Sequence, residues 1–191
     1  FKKNISSLFN IYKLDKKLLL IFFKNFLYSS KFEKIFMYNL YFKNKYNYKI
    51  ISIDNKKYIF DPIRKKKIVL TQEEWVRQNV ISFLNLNLKI PISHISVEKG
   101  FKVNKLKKRF DIIVYDDYGK IKILVECKSP KISLNQKALD QLIVYNMEIK
   151  SKFLMLTNGL NHFFVKFDDK NFSIINNLPN YNELWLLLLL Y

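Results

Sequence analysis

Asp111, Glu126 and Lys128 place two carboxylates and an ammonium within one short stretch, Arg109–Lys128, RFDIIVYDDYGKIKILVECK. Two carboxylates held side by side repel, and a sheet gains nothing by keeping them together. A divalent cation between them would give the arrangement a purpose, and oxygen ligands suit Mg2+ or Mn2+. The Glu126-Cys127-Lys128 element adds an ammonium beside a metal ligand. The plainer alternative is a solvated face, with the carboxylates splayed apart and neutralised by lysines.

A β-hairpin is the element that would position these groups. Ile112, Val114 and Tyr115 supply β-formers before a turn, and Ile121, Ile123 and Val125 supply them after it. Asp116-Asp117-Tyr118-Gly119 is the turn signal. With the turn centred on Tyr118-Gly119, antiparallel pairing sets Asp116 opposite Ile121 and Asp111 opposite Glu126. Opposed residues share a sheet face, with Cβ atoms roughly 4.5–5.5 Å apart. Lys128 follows Glu126 by two residues and joins that face. Arg109 should lie across from Lys128. Cys127 points the other way, into the core.

Asp111 followed by Glu126-Cys127-Lys128 resembles the signature of the PD-(D/E)xK nuclease superfamily. Gln141-Leu142-Ile143-Val144-Tyr145 matches the QxxxY helix of its RecB-like and type I restriction branches. Thr157-Asn158-Gly159 matches the TNG that ends the next strand, and Glu73-Glu74-Trp75-Val76-Arg77-Gln78 matches the Glu/Arg helix before the hairpin. The likeness, from about Tyr58 to Phe167, is to the N-terminal domain of type I restriction enzyme R subunits, in a short stand-alone form without the helicase motor. It implies Mg2+ (or Mn2+) on Asp111, Glu126 and the backbone carbonyl of Cys127. Lys128 would orient a water molecule or stabilise the transition state. Glu73 would join the metal cluster, with Glu74 as the fallback, and Gln141 and Tyr145 would hold substrate. The implied activity is endonuclease-like hydrolysis of DNA within restriction-modification. Partner proteins would supply a motor or specificity function. The rival reading is a DNA-binding module of the same fold with little or no turnover.

The 191 residues carry 34 Lys+Arg against 16 Asp+Glu, a net charge of +18 that attracts polyanions. Lysine, asparagine, isoleucine and aromatic residues abound while Ala138 is the sole alanine, the imprint of an AT-rich genome, so part of that charge is codon bias. Against this background Arg64, Arg77 and Arg109, the only arginines, stand out as sites needing a planar or bidentate contact that lysine cannot make. Arg77 and Arg109 lie in the motifs and are expected on the substrate. The basic run Arg64–Lys67 reads as solvated.

A single cysteine excludes an intrachain disulfide and fits a reducing, cytoplasmic setting. No apolar run approaches the ~20 residues of a membrane span. The two histidines, His94 and His162, with one cysteine, make no zinc cluster. No Gly-rich phosphate loop argues for ATP use. His94 and Glu98 read as ordinary surface residues.

Residues 1–35 read as a basic amphipathic extension, and 36–191 as the nuclease-like domain. Strands are expected at Tyr48–Ile53, Lys57–Phe60 and Ile68–Leu70, then a helix capped by Thr71 and Glu74 as a capping box, with Val76, Val80, Phe83 and Leu84 buried. An extended segment over Ile95–Val97 precedes the hairpin. A helix from Asn135 to about Met147, strands Phe153–Thr157, His162–Phe167 and Phe172–Ile175, and a helix from Tyr181 follow. The order gives an α/β restriction-endonuclease-like fold, one central mixed sheet flanked by helices, with an N-terminal helical/strand extension.

Overall fold

The computed structural model describes residues 40–42, 45–103, 106–168 and 171–186. The 1–35 extension lies outside the described residues. Strands β1 (Ile50–Ile53), β2 (Lys56–Asp61) and β3 (Lys66–Val69) form a small antiparallel sheet. Asp54 and Asn55 both take positive φ (47° and 59°), which gives the hairpin turn the hand that matches strand twist.

Strands β4 (Ile95–Val103), β5 (Leu106–Tyr115), β6 (Ile121–Cys127), β7 (Phe153–Thr157), β8 (His162–Asp168) and β9 (Asn171–Ile175) form the central sheet in that order. Only β6 and β7 pair in parallel, from Ile123↔Phe153 to Cys127↔Thr157. A parallel pair needs a crossover, and helix α2 (Gln136–Ile149) supplies it. The sheet is therefore mixed, as expected. All five residues of β7 are buried, as a strand covered on both faces requires.

Helix α1 (Gln72–Ser82) covers one face. Val76, Val80 and Ile81, with Leu84 from the π-helical turn Phe83–Asn87, pack against Ile112, Val114, Ile123, Val125, Cys127 and Met155. Helix α2 covers the other, setting Leu139, Leu142 and Ile143 on Ile113, Leu124, Leu154 and Leu156. Each full burial of such a side chain contributes roughly 1.5–3 kcal/mol before entropy is subtracted. The described part of the last helix, α3, spans Tyr181–Leu186, and Leu184 joins the α1-side core.

The expected capping box forms only in half. Thr71 Oγ1 accepts the Glu74 amide at 3.0 Å, but the Glu74 carboxylate turns to Arg64, Arg77 and Gln78. Burial explains the choice: Glu74 is 4% exposed, and a buried carboxylate needs cations more than it needs one backbone N–H.

Candidate active site

The hairpin register holds in its middle, with Ile112↔Val125, Ile113↔Leu124 and Val114↔Ile123. Near the turn it slips by one residue, so that Tyr115, and not Asp116, faces Ile121. Asp116 instead organises the turn. Its carboxylate accepts the amides of Tyr118 and Lys120, and its carbonyl accepts that of Gly119. Gly119 sits at φ +76°, the left-handed position that closes a G1-bulge turn.

A second irregularity places Asp111. On β4–β5 the pairs run Val97↔Ile112 and then Lys99↔Phe110, passing over Glu98 and Asp111. Glu98 takes a positive φ of 53° there. Phe110 lies edge-on to Tyr145 of α2, while Ile112 belongs to the α1-side core. Residues two apart in a regular strand share a face, so alternation is broken at Asp111. As a result Asp111 turns to α1, and Glu126 stays on the α2 side with Gln141, Leu142 and Tyr145. This corrects the expectation that the two carboxylates share a face.

The two carboxylates still converge, through the backbone. Asp111 Oδ2 accepts the Cys127 amide at 2.7 Å, the residue between Glu126 and Lys128. Asp111 Oδ1 accepts Arg77 at 2.6 Å. Glu126 Oε1 accepts Lys128 Nζ at 2.6 Å and lies 3.6 Å from Lys108 Nζ. Burial works to lower the Lys128 ammonium, but the Glu126 hydrogen bond and the charges of Glu126, Asp111 and Glu73 outweigh it and raise its pKa. Glu73, at the first turn of α1, is pushed upward by burial and by Asp111, against Arg77 and Lys128. Glu73, Asp111, Glu126 and Lys128 therefore lie within one another's electrostatic reach. Burial drives the Cys127 thiol well up, so it remains a protonated core group.

Of the two motif arginines, Arg77 differs from expectation. Arg77 is 5% exposed and spends its guanidinium on Glu73, Glu74 and Asp111. A buried side chain hydrogen-bonded to three acids supports Asp111 and presents little surface to a substrate. Arg109 pairs in register with Gly100 on β4, the neighbour of β5 on the side away from β6. Its side chain is 68% exposed, 3.7 Å from Glu98, and open to solvent at the rim. Arg64 is not solvated either. It bridges Asp61, Glu74 and Glu98 at 2.6–2.7 Å, so only Lys65, Lys66 and Lys67 of that run are exposed.

All three arginines thus meet Glu98, which is no ordinary surface residue. Asp61, Arg64, Glu74, Gln78 and Glu98 form a polar network behind the site that sequence reading missed. The scarcity of arginine was its one signal. Lys108 was also missed. Its Nζ lies 5.1 Å from the centre of the Tyr145 ring, and it lines a small hollow with Glu126, Lys128 and Gln141. Gln141 Nε2 donates to Tyr145 Oη at 2.9 Å across one turn of α2, as the i, i+4 spacing anticipates.

Thr157-Asn158-Gly159 is a built turn. Thr157 carbonyl accepts the Lys128 amide at 2.7 Å, tying the turn to the site. Asn158 accepts the amides of Leu160 and Asn161 and donates to the Ile132 carbonyl. Gly159 stands at φ +82°. His94 contacts Asp117 at 3.0 Å, away from the carboxylates of the site.

A family model described as "Type I restriction enzyme R protein N terminus (HSDR_N)" matches residues 72–179, more than half of the chain and every element from α1 to β9. No curated protein matches.

Proposed function

The chain belongs to the family of type I restriction enzyme R protein N termini, a restriction-enzyme-related, nuclease-like group, and from that premise we propose that it is a metal-dependent nuclease hydrolysing DNA phosphodiester bonds. The observation that carries the reading is the anchoring of Asp111 to the amide between Glu126 and Lys128. It brings the three signature residues together despite the break in strand alternation.

The donor chemistry fits Mg2+ or Mn2+: the carboxylates of Glu73, Asp111 and Glu126 with the Cys127 carbonyl are all hard oxygens. Burial first, and the charge of Asp111 second, push Glu73 upward, and a cation here would relieve the Asp111 part. When bound, such a cation would acidify a water and neutralise charge on the scissile phosphate. Lys128, held as an ammonium, supplies positive charge to the crowded phosphorus and can orient the attacking water. Arg77 fixes Asp111 from behind. Gln141, Tyr145 and Arg109 are the groups proposed to hold substrate, Arg109 from the exposed rim. A cytoplasmic setting, with protein partners that supply a motor or specificity function, completes the proposal.

One observation favours the rival, a DNA-binding module with little turnover. Among the described residues no three metal-binding side chains are already grouped around one point, and Asp111 and Glu126 are engaged by Arg77 and Lys128. The test is the purified chain on linear, circular and single-stranded DNA, in Mg2+ or Mn2+ and in chelator. Cation-dependent cleavage is expected. Salt-sensitive binding without cleavage under every condition would establish the rival instead.

A further inference from the structure

A groove of about 730 Å3 opens at the far end of β6 and β7, beside the C-terminus of α2. Lys120, Lys122, Lys150 and Lys152 line it, and no acid does. Between the lysines lie Ile121, Met147, Phe167 and Phe172, with Met147 64% and Phe172 51% exposed. Two acids stand just outside: Asp116, 3.2 Å from Lys122, and Asp168, 3.0 Å from Lys152. They neutralise part of the charge and leave Lys120 and Lys150, both exposed, as its cationic lip.

The floor is fixed. Asn146 and Ser151 exchange hydrogen bonds at 2.6–3.0 Å. Lys150, in the left-handed conformation, closes α2 through its amide to the Asn146 carbonyl. Phe167 and Phe172 pair across β8 and β9 with ring centres 5.8 Å apart.

We propose that this groove binds a single strand of nucleic acid, with phosphates on the lysines and bases against Phe172 and Met147. Single-strand sites combine a cationic track with aromatic platforms. A duplex hides its base faces and would leave the apolar half of the groove uncovered. The choice of nucleic acid among polyanions rests on the nuclease reading above, whereas the charge and shape do not. Along β6, Lys122 at the groove and Glu126 at the site are four residues apart, roughly 13 Å at about 3.3 Å per residue, and Lys128 lies two residues further. The groove is thus a second contact, distinct from the site of chemistry.

The test measures binding of a short oligothymidylate and of a duplex of equal length by fluorescence anisotropy, in chelator, with the full chain. Lys120→Glu with Lys150→Glu should weaken single-strand binding tenfold or more and duplex binding about twofold. The same charge change at the exposed Lys65 and Lys67 should have little effect. Phe172→Ala, a change of surface only, should cost about tenfold on the single strand. Equal losses from the two double variants, or an unchanged Phe172→Ala, would overturn the proposal and leave only net charge. A chain that passes these tests yet never cleaves DNA keeps its groove while the nuclease reading falls.

Discussion

Arg77 is the residue on which the site's acids depend. Its guanidinium joins Glu74, 4% exposed, to Asp111, and it is itself buried. Removing one partner of a buried ion pair leaves an uncompensated charge and costs about 3–5 kcal/mol. Arg77→Met should therefore destabilise the chain by about that amount in urea unfolding. Arg77→Lys should recover only part, because an ammonium cannot bridge Glu74 and Asp111 with a planar fork. A loss below about 1 kcal/mol for Arg77→Met would mean that the acids do not need it. The same contacts revise the behaviour of Asp111. Repulsion between opposed carboxylates would make Asp111→Asn neutral or stabilising without metal, but Asp111 holds Arg77 and the Cys127 amide instead of facing Glu126 in isolation. Arginine among so many lysines was legible as a residue with a planar contact to make. That the contact would be internal was not, because composition cannot separate a buried acid from a phosphate.

At the scale of elements, the turn after β7 gives two tests. His162 places Nδ1 2.7 Å from Thr157 Oγ1 and Nε2 3.0 Å from the Tyr41 carbonyl. Burial lowers its pKa, against the raising effect of the Tyr41 contact. A depressed folded pKa means that the unfolded chain takes up the proton first. The stability this imidazole contributes is present above its unfolded pKa of about 6.5 and is lost as pH falls through the folded value. Unfolding free energy should drop on acidification from neutrality, and His162→Gln should flatten that part of the slope. An identical slope in the variant would remove His162 from the account. The glycines separate in the same way. A Cβ at Gly159 would come within 2.5 Å of Leu40 Cδ2 at φ +82°, whereas one at Gly119, φ +76°, meets nothing within 4 Å. Gly119→Ala should cost about 1 kcal/mol of backbone strain, and Gly159→Ala distinctly more, in parallel denaturant melts. Equal costs would show that Leu40 moves aside freely.

Elements were the most legible level of this chain. Strand β7 matches its expected bounds, Phe153–Thr157, and α2, expected from Asn135 to about Met147, spans Gln136–Ile149 with Asn135 as its cap. Period-2 and period-3.6 patterns carry that information directly. The register slip at Tyr115 and the break in alternation at Asp111 did not show. The break turns Asp111 to Arg77 of α1, which is a long-range fact. The break is also what separated Asp111 from Glu126 across the sheet. The site was legible as a set of residues, and its geometry was not.

At the scale of the whole molecule, the central sheet divides the chain into an α1 side that holds Asp111 and an α2 side that holds Glu126, Gln141 and Tyr145. Asp111 and Lys128 meet where β5 and β6 end their pairing, and the buried network ties that meeting point back to Asp61 of the small sheet. No helix among the described residues is long and apolar enough to cross a membrane. We propose this meeting point as the seat of metal-dependent phosphodiester hydrolysis. Its most direct test is the single-turnover cleavage rate of DNA in Mn2+ for the parent and for Lys128→Ala, with DNA affinity measured alongside in chelator. Lys128 is partly exposed at the site, where it pairs with Glu126, and in the proposed role its charge acts on the reacting phosphate. The rate should fall by at least about 100-fold while affinity and melting temperature stay near those of the parent. A Lys128→Ala variant that cleaves as fast as the parent would contradict the assignment of this hairpin as a catalytic centre.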